Sequence, residues 1–261
     1  MTPTLYHDND PKVCAWLRNL VASGRLPAGH VECGDIRTLD PAACAPTTHL
    51  FAGIGGWPLA LRLAGWPGDR PVWTGSCPCQ PYSSAGQGKG DADPRNLWPA
   101  MRRFVSECQP ATVFGEQVAG ALGWAWFAGV RVDLETLGYA VGASGLCAYA
   151  VGSPHERLRV FWVAHAASNG REGLQRSTAT QVSQDGSPQA LDAWHGTGSP
   201  FEHWQKLLAE PHVMRVDDGI SSTVDIRPRL HAYGNAIVPQ AAAAFIRAFL
   251  DCERDAVTAS K

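Results

Sequence analysis

The stretch TTHLFAGIGGWPLALRLAGW, residues 47–66, decides the fold, because its pattern is typical of a strand, a glycine turn and a helix in succession. An apolar run ends at Phe51, glycines follow at 53, 55 and 56, and a helical pattern runs from Pro58 to a stop signal at Gly65. Backbone amides at such a turn attract electron-rich groups, which favours a nucleotide-like ligand, although a ligand-free tight turn explains the glycines alone equally well. A dinucleotide fingerprint requires glycine at position 58, so a nicotinamide cofactor is disfavoured.

The chain before this stretch predicts a strand, a helix and a second strand. The helix spans Asp10 to Gly24, where apolar residues recur at helical spacing. Asp10 can accept the free amide protons at its start, and Gly24 can adopt the left-handed conformation that ends it. Short strands are predicted at Thr4 to His7 and at Val31 to Cys33.

Beyond residue 66, β-like runs alternate with helical stretches. The predicted strands are 71–74, 111–115, 139–141 and 158–164, and the predicted helices are about 97–108 and 125–137. This alternation predicts an α/β fold with a parallel sheet covered on both faces. Near the end of the chain, residues 233–251 predict a loop followed by an Ala-rich helix that packs back on the sheet.

The composition is that of an ordinary globular protein. The chain has 22 basic and 24 acidic residues, a net charge of −2 and 45% apolar residues, which excludes a disordered or polycationic chain. No apolar run reaches the roughly 18 residues of a membrane helix and no targeting signal is recognisable, so we expect a cytoplasmic protein. The eight cysteines are expected to be thiols, and because the close pair Cys77 and Cys79 has no second pair, no metal site is predicted.

Composition also divides the chain. Residues 167–223 are rich in Gly, Ser, Gln, Thr and Asp and show no sustained period, which predicts an insertion or a small second lobe. The predicted organisation is a core of residues 1–166, the irregular region 167–223, and a segment 224–261 that returns to the core.

Cys79 is the first residue that carries chemistry. It lies between two prolines in GSCPCQPYSSAGQGKGDADPRNLWP, residues 75–99, directly after a predicted strand. Open parallel sheets expose reactive groups at this end of their strands. Taken alone, a loop cysteine is more often inert than nucleophilic.

A carboxylate and two arginines follow. Glu116 ends the predicted strand in VFGEQ, and Arg157 and Arg159 precede the next one in SPHERLRVFWVA. Each has an ordinary explanation when considered alone: a helix cap or surface ion pair for Glu116, and a solvated surface pair for the arginines.

Together these motifs resemble the DNA cytosine-5 methyltransferase family, specifically compact enzymes found in phages and prophages. The resemblance rests on FAGIGG, PCQPYS, RNLW, FGEQV, HERLR and YGNAIVP, and it covers roughly residues 5–165 and 229–250. It implies a Rossmann-like methyltransferase sheet that uses S-adenosylmethionine and yields S-adenosylhomocysteine. The implied reaction is methylation of carbon 5 of a flipped cytosine in double-stranded DNA, and we expect a monomer.

The resemblance implies a role for each catalytic candidate. Cys79 matches the thiol that adds to carbon 6 of cytosine, and Glu116 matches the glutamate of the ENV motif, which shares a proton with ring nitrogen 3. Arg159 and Arg157 match the arginines of the QxRxR motif, which bind the base and orient the carboxylate. The sequence departs from the family at Gln117, where the ENV motif has asparagine, and at His155, where QxRxR begins with glutamine.

The implied cofactor site has an unusual order along the chain. The residues that match the family directly are Phe51, Gly53, Ile54, Gly55, Gly56, Pro78, Asn235 and Ala236. Only residues 57–78 separate the glycine turn from Cys79, which leaves no room for the family's acidic cofactor motifs. Instead HDNDPKVCAWLRNL resembles its ExDxxA…N segment and CGDIRTL its GDI segment, both ahead of the glycine turn.

This rearrangement assigns the acidic contacts to the amino-terminal part. Asp8 is predicted to bind the ribose hydroxyls and Asp35 the adenine amino group, with Ile36 against the ring. Strands two and three of the family sheet would then be made before strand one, so that the sheet keeps its spatial order while its connections change.

Substrate recognition is predicted in two places. A cytosine inside a duplex must be turned out of the stack to be reached. By the same resemblance, the loop from Tyr82 to Arg95 would close over the base, and the substrate-binding candidates are Gln80, Ser83, Lys89 and Arg95. Residues 167–223 occupy the place of the family's target-recognition region.

Two other functions stay open at this stage. The core motifs fit methylation of RNA cytosine as well as of DNA cytosine. The chain could also be a catalytically silent DNA-binding protein, although joint retention of Cys79, Glu116 and Arg159 argues against this. An adenine methyltransferase is disfavoured, since a thiol has no role in direct attack by an amino group.

Overall fold

The computed structural model describes residues 3–78, 96–153, 157–166 and 236–259. These residues belong to one compact unit that combines Met1–Ala166 with Ile226–Lys261. The predicted recognition region, 167–223, lies outside the described residues. In the described ranges, no helix is both long and apolar enough to cross a membrane.

Strands and helices alternate through most of this unit. The strands are β1 (Thr4–Asp8), β2 (Gly29–Cys33), β3 (Thr47–Leu50), β4 (Trp73–Gly75), β5 (Thr112–Val118), β6 (Tyr139–Cys147) and β7 (Leu158–Ala166). The helices are α1 (Pro11–Ala22), α2 (Gly56–Ala64), α3 (Trp98–Cys108), α4 (Ala121–Thr136) and α5 (Pro239–Ala259). Short 3₁₀ turns occupy Ile36–Thr38, Pro41–Ala43 and Ala148–Val151.

The strands form one seven-stranded sheet in the order β2-β1-β3-β4-β5-β7-β6. Neighbours from β2 to β5 are parallel, whereas β7 is antiparallel to both β5 and β6. The predicted α/β class is confirmed, and the expectation of a purely parallel sheet is wrong at this edge. The connection of residues 148–157 between β6 and β7 is too short for a crossover helix, so the two strands pair antiparallel.

The rearranged strand order predicted from the sequence is confirmed. Strands β1 and β2 precede the glycine-turn strand β3 in the chain, yet β1 pairs directly with β3, with Thr4 opposite Thr47. The carboxyl ends of β1, β2 and β3 therefore lie side by side at one edge of the sheet. This brings the two predicted acidic motifs next to the glycine turn.

The rearrangement gives the crossover connection between β3 and β4, which contains α2, an unusual handedness. Val113 and Phe114 point to opposite faces of β5, Val113 into the core beneath α3 and α4 and Phe114 into the core beneath α2 and α5. The connections through α2, α3 and α4 advance in the same direction across the sheet, but α2 lies on the other face. The α2 crossover therefore has the opposite hand to the others. Because about 98% of such crossovers are right-handed, α2 makes the rare left-handed one.

The carboxy-terminal helix α5 is fastened to the α2 side of the sheet. The Arg70 guanidinium donates two hydrogen bonds of 2.7 Å to the Glu253 carboxylate. It also lies 4.2 Å from the ring centre of Trp66, which stacks on Phe249 of α5. Aromatic stacking and a two-point ion pair thus fix the helix that follows the predicted GN motif.

The observed ends of some strands and helices differ from the predicted ones, chiefly where the side chains are small or where apolar residues surround the whole element. Strand β6 has nine residues instead of three, because its Gly, Ala and Ser residues carry little apolar signal at an exposed sheet edge. Helix α4 begins at Ala121 instead of residue 125. Helix α2 begins at Gly56, two residues before Pro58, and ends before Gly65, whose φ of 76° matches the predicted stop.

Candidate active site

The glycine turn after β3 has a sharply left-handed backbone. Phe51, Gly53 and Gly55 have φ values of 52°, 53° and 89°. This conformation has no steric cost for glycine, but it strains the backbone of phenylalanine. Backbone strain of this kind is common at ligand-binding sites. A β-carbon at Gly53 would meet nothing within 4 Å, so the space beside the turn is open. Gly55 caps α2 without a side-chain partner, which leaves helix amides available to a ligand.

Asp8 ties the end of β1 to this turn. Its Oδ2 accepts a 2.9 Å hydrogen bond from the Gly53 amide, and its Oδ1 accepts a 3.0 Å hydrogen bond from the Asp10 amide. A carboxylate has about four acceptor positions, so Asp8 can bind further hydroxyl groups beside the turn. The structure therefore joins two predicted cofactor residues that lie 45 positions apart in the chain.

We predict that Asp8→Ala weakens binding of S-adenosylhomocysteine by about ten- to hundredfold, because it removes charged acceptors and releases the Gly53 amide. Isothermal titration calorimetry measures this directly. The matched control is Asp10→Ala, which removes a comparable bond, donated by the Lys12 amide to Asp10 Oδ1 at the start of α1, and leaves the glycine turn unchanged. That control is expected to lose about 1 kcal/mol of stability and to keep its affinity. Equal affinities of the two variants would contradict the role of Asp8.

The second predicted acid, Asp35, lies beside Asp8 at the same sheet edge. The Gly34 amide donates to the Asp8 carbonyl oxygen at 3.0 Å, which sets Asp35 immediately after the contact. Asp35 caps the following 3₁₀ turn and forms an ion pair with Arg37, and this hydrogen-bonded arginine lowers the pKa of Asp35 to about 2. Ile36 is 2% exposed and packs in the core in this structure, so its contact with an adenine ring stays a prediction.

Gly56 has a packing role that the sequence did not reveal. A β-carbon at this position would lie 2.6 Å from Cγ1 of Ile237, a distance too short for any side chain. The glycine turn is therefore in close contact with the chain segment that leads into α5. Ile237 follows Ala236, the described residue of the predicted GN motif.

Glu116 and Arg159 form an ion pair inside the sheet. Glu116 is 8% exposed, and its Oε1 lies 3.0 Å from Nε of Arg159. The two side chains meet because β5 and β7 are paired antiparallel, with Val118 opposite Arg159. Among the described residues, none forms a well-aligned hydrogen bond with this oxygen, so it can still accept or share a proton with a ligand.

The surroundings of Glu116 favour its protonated form. Burial raises the pKa of the Glu116 carboxyl group, and the opposing attraction to Arg159 and Arg157 does not cancel this effect. A carboxyl group with a raised pKa can act as a proton donor near neutral pH. The site thus combines a buried acid with a fixed cation.

The two predicted arginines have different contacts. Arg159 pairs with Glu116, whereas Arg157 donates a 2.7 Å hydrogen bond from NH2 to the Ala236 carbonyl oxygen. The structure therefore links Arg157 to the predicted cofactor motif at the end of the chain. The close spacing of the two arginines in the sequence did not predict that their partners differ.

Gln117 anchors the chain just before Cys79. Its Nε2 donates to the Cys77 carbonyl oxygen at 3.3 Å, and its Oε1 accepts from the Val118 amide at 2.9 Å. From the other face, Trp57 donates from Nε1 to the Ser76 hydroxyl at 3.0 Å. The sequence identified Gln117 only as a departure from the ENV motif, but a polar residue within a buried strand is itself a signal of such a role.

The chain that follows residue 95 is anchored as well. The Trp98 indole donates to Asp133 Oδ2 at 2.8 Å, and Asn96 Oδ1 accepts from the Trp98 amide at 3.2 Å. Both flanks of residues 79–95 are therefore held by side-chain hydrogen bonds. Six predicted site residues lie outside the described residues, namely Cys79, Gln80, Ser83, Lys89, Arg95 and Asn235.

The mainly parallel sheet, the glycine turn with an acid on the adjacent strand and the buried carboxylate–arginine pair are those of a Rossmann-like methyltransferase. A family model described as C-5 cytosine-specific DNA methylase matches residues 66–205, more than half of the chain. The chain therefore belongs to the C-5 cytosine-specific DNA methylase family.

Similar proteins include bacterial type II methyltransferases. M.AgeI of Thalassovita gelatinovora is 37% identical over 98 residues, which cover 36% of this chain and 23% of that protein. M.HgiBI of Herpetosiphon aurantiacus is 30% identical over 155 residues, which cover 44% of this chain and 36% of that protein. The chain thus spans less than two fifths of the length of either relative.

Two solved structures are similar to part of this chain. The Dnmt2 methyltransferase of S. pombe aligns with a TM-score of 0.40 and 17% identity, over 66% of this chain and 53% of that chain. A DNMT2 variant of Spodoptera frugiperda aligns with a TM-score of 0.41 and 18% identity, over 68% of this chain and 54% of that chain.

Proposed function

We propose that this chain methylates carbon 5 of cytosine in double-stranded DNA, with Cys79 as the nucleophile and S-adenosylmethionine as the methyl donor. The observation that carries the proposal is the buried Glu116, 3.0 Å from Arg159, in a member of the C-5 cytosine-specific DNA methylase family. A buried acid held by a cation is suited to protonating a heterocyclic base.

The chemistry explains why a thiol and an acid are both needed. Carbon 5 of cytosine is a poor nucleophile, and addition of the Cys79 thiolate to carbon 6 converts the ring into an electron-rich enamine. Glu116 delivers its proton to ring nitrogen 3 as the carbon–sulfur bond forms, which prevents negative charge from building up on the ring. Arg159 holds the Glu116 carboxyl group in place.

The same residues complete the reaction. After carbon 5 has gained the methyl group, its own proton must leave to a base, and the electron pair of that carbon–hydrogen bond reforms the ring double bond. The bond between Cys79 and carbon 6 breaks as this double bond forms, and its electron pair leaves with the sulfur, which regenerates the thiolate. Glu116 recovers the proton that it lent to nitrogen 3.

The residues of the glycine turn fit the proposed cofactor. The open space beside Gly53, the start of α2 without a side-chain cap and the Asp8 carboxylate together suit a ligand with a hydroxylated, electron-rich nucleoside. Asp8 would hold the ribose hydroxyls and Asp35 the adenine amino group. S-adenosylmethionine supplies an electrophilic methyl group when bound.

The DNA contacts are proposed from sequence. The target cytosine must leave the stack to reach Glu116, at a cost of a few kcal/mol. We assign contacts with the extruded base and its phosphates to Gln80, Ser83, Lys89 and Arg95. Residues 167–223 would read the flanking sequence, with a division of the chain at residues 166 and 224.

A transfer assay with tritiated S-adenosylmethionine tests the proposed function, with duplex DNA and tRNA as parallel substrates. We expect label in DNA, and bisulfite sequencing of DNA from cells that express the protein is expected to show protected cytosines at one short site. The two readouts together report the reaction and its target. Label confined to tRNA, or absence of label from both polynucleotides while the cofactor product binds, would contradict the proposal.

A further inference from the structure

We propose that Arg157 is a positioning residue that couples the cofactor turn to the base pocket through residues 236–238. This inference rests on the proposed function, because it assigns the two ends of the coupling to the methyl donor and the target base. Three contacts carry it: the backbone of Arg157, its hydrogen bond to Ala236, and the packing of Ile237 on Gly56.

The backbone of Arg157 is strained. Its φ is 31°, in the left-handed region where glycine and asparagine are favoured. An arginine held in this conformation costs free energy, of the order of 1 kcal/mol or more, that surrounding contacts must offset. The hydrogen bond from the Arg157 side chain to the Ala236 carbonyl oxygen is one of the contacts that can offset this cost.

The hydrogen bond of Arg157 reaches across the chain. Its NH2 lies 2.7 Å from the carbonyl oxygen of Ala236, 79 positions away. A hydrogen bond from a charged donor at this distance is among the stronger kinds in proteins. It sets the position of the segment directly after Asn235, which is a predicted cofactor residue.

That segment presses on the glycine turn. Ile237 is 8% exposed and occupies the space that a side chain at Gly56 would need, with Cγ1 2.6 Å from the β-carbon position. Closely packed groups do not move independently. A cofactor that settles against the turn will therefore shift or fix Ile237, and with it the carbonyl oxygen that Arg157 holds.

The other end of the coupling is Arg159. Only Leu158 separates the two arginines, and both attract the Glu116 carboxylate. Arg159 makes the direct contact with Glu116, at 3.0 Å, while Arg157 is committed to Ala236. A change at Ala236 thus reaches the catalytic acid through two peptide units. Because Arg157 holds the Ala236 carbonyl oxygen and Arg159 holds Glu116, we assign to Arg157 the role of positioning Arg159.

The test measures how much duplex DNA changes the affinity for S-adenosylhomocysteine. By thermodynamic linkage, coupling between two sites appears as a ratio of affinities with and without the second ligand. In the wild-type protein we expect saturating DNA to tighten S-adenosylhomocysteine binding by about fivefold or more. In Arg157→Met the ratio of affinities with and without DNA is expected to fall to about one. Arg157→Lys keeps the positive charge and a hydrogen-bond donor, so its ratio should lie between one and the wild-type value.

The matched control is Arg247→Met. Arg247 also donates to a backbone carbonyl, from NH1 to Leu63 at 3.2 Å, but it joins α5 to α2 away from the base pocket. This variant should keep the wild-type ratio even if its thermal unfolding midpoint falls as far as that of Arg157→Met. In Gly56→Ala the ratio of affinities should fall to about one. The double variant Gly56→Ala with Ile237→Ala should regain the wild-type ratio, since the smaller side chain at position 237 makes room for the new β-carbon.

The outcomes separate this inference from the proposed function. A wild-type ratio in Arg157→Met, an equal loss in Arg247→Met, or a wild-type protein that binds both ligands without any coupling would overturn the inference. If Arg157→Met fails to fold, the two single variants Arg157→Lys and Gly56→Ala replace it. A full wild-type ratio of affinities in both of them would also overturn the inference. If the wild-type protein binds neither S-adenosylhomocysteine nor DNA, the proposed function itself fails.

Discussion

Replacement of Glu116 by glutamine is expected to slow methyl transfer to DNA by about a hundredfold to ten-thousandfold. Glutamine keeps the size of the side chain in its buried position but cannot give a proton to ring nitrogen 3. Single-turnover transfer of a tritiated methyl group measures the chemical step without interference from product release. The matched control is Glu107→Gln, since Glu107 is an exposed acid on α3 that faces Arg103, and it should leave the rate unchanged.

The pH dependence of the rate tests the same residue independently. Burial raises the pKa of Glu116, so its acid form persists to higher pH than that of an exposed carboxyl group. The wild-type rate should therefore fall as the pH rises through this raised value, and Glu116→Gln should lack that alkaline decline. An unchanged rate in Glu116→Gln, or the same alkaline decline in both proteins, would remove Glu116 from the mechanism.

The stability of the fold should follow the same titration with the same sign. A carboxyl group whose pKa is raised on folding stabilises the native state below its ordinary pKa, and this contribution is lost as the pH rises through the raised value. Wild-type protein should thus lose stability relative to Glu116→Gln over that pH range. Urea unfolding of both proteins at several pH values measures the difference.

Replacement of Cys79 by serine is expected to abolish both methyl transfer and the covalent complex with DNA that contains 5-fluorocytosine. The fluorine cannot leave as a proton does, so a wild-type thiolate that has added to carbon 6 stays bonded to the base. Denaturing electrophoresis shows the complex as a shifted band. Serine lacks the easily ionised sulfur and cannot take its place in the addition.

The control for this experiment is Cys252→Ser, which removes an exposed thiol on α5 far along the chain from the glycine turn. It should form the covalent complex at the wild-type rate. Glu116→Gln should form the same complex slowly, because it retains the thiol and lacks only the acid. Persistence of the shifted band in Cys79→Ser would mean that another nucleophile, or none, performs the reaction.

Local patterns in the sequence were sufficient to predict most of the architecture. Asp10 and Gly24 bracket α1, and the glycine turn lies between β3 and α2, since caps and turns depend on residues a few positions apart. The rearranged strand order was predicted from family resemblance, because the segments that contain Asp8 and Asp35 resemble two family motifs and precede the glycine turn. The antiparallel β6–β7 edge was not predicted because strand direction depends on connection length and on distant partners.

By itself the sequence determined which chemical groups this protein has and where they occur along the chain: a thiol at position 79, a carboxylate at 116 and two closely spaced arginines. Only the tertiary structure decided what these groups do to one another. In the folded chain Arg159 pairs with Glu116, Arg157 donates a hydrogen bond to the Ala236 carbonyl oxygen, and Asp8 accepts one from the Gly53 amide. Such contacts join residues 43 to 79 positions apart, and they depend on the order and the register of the strands, which no local spacing specifies.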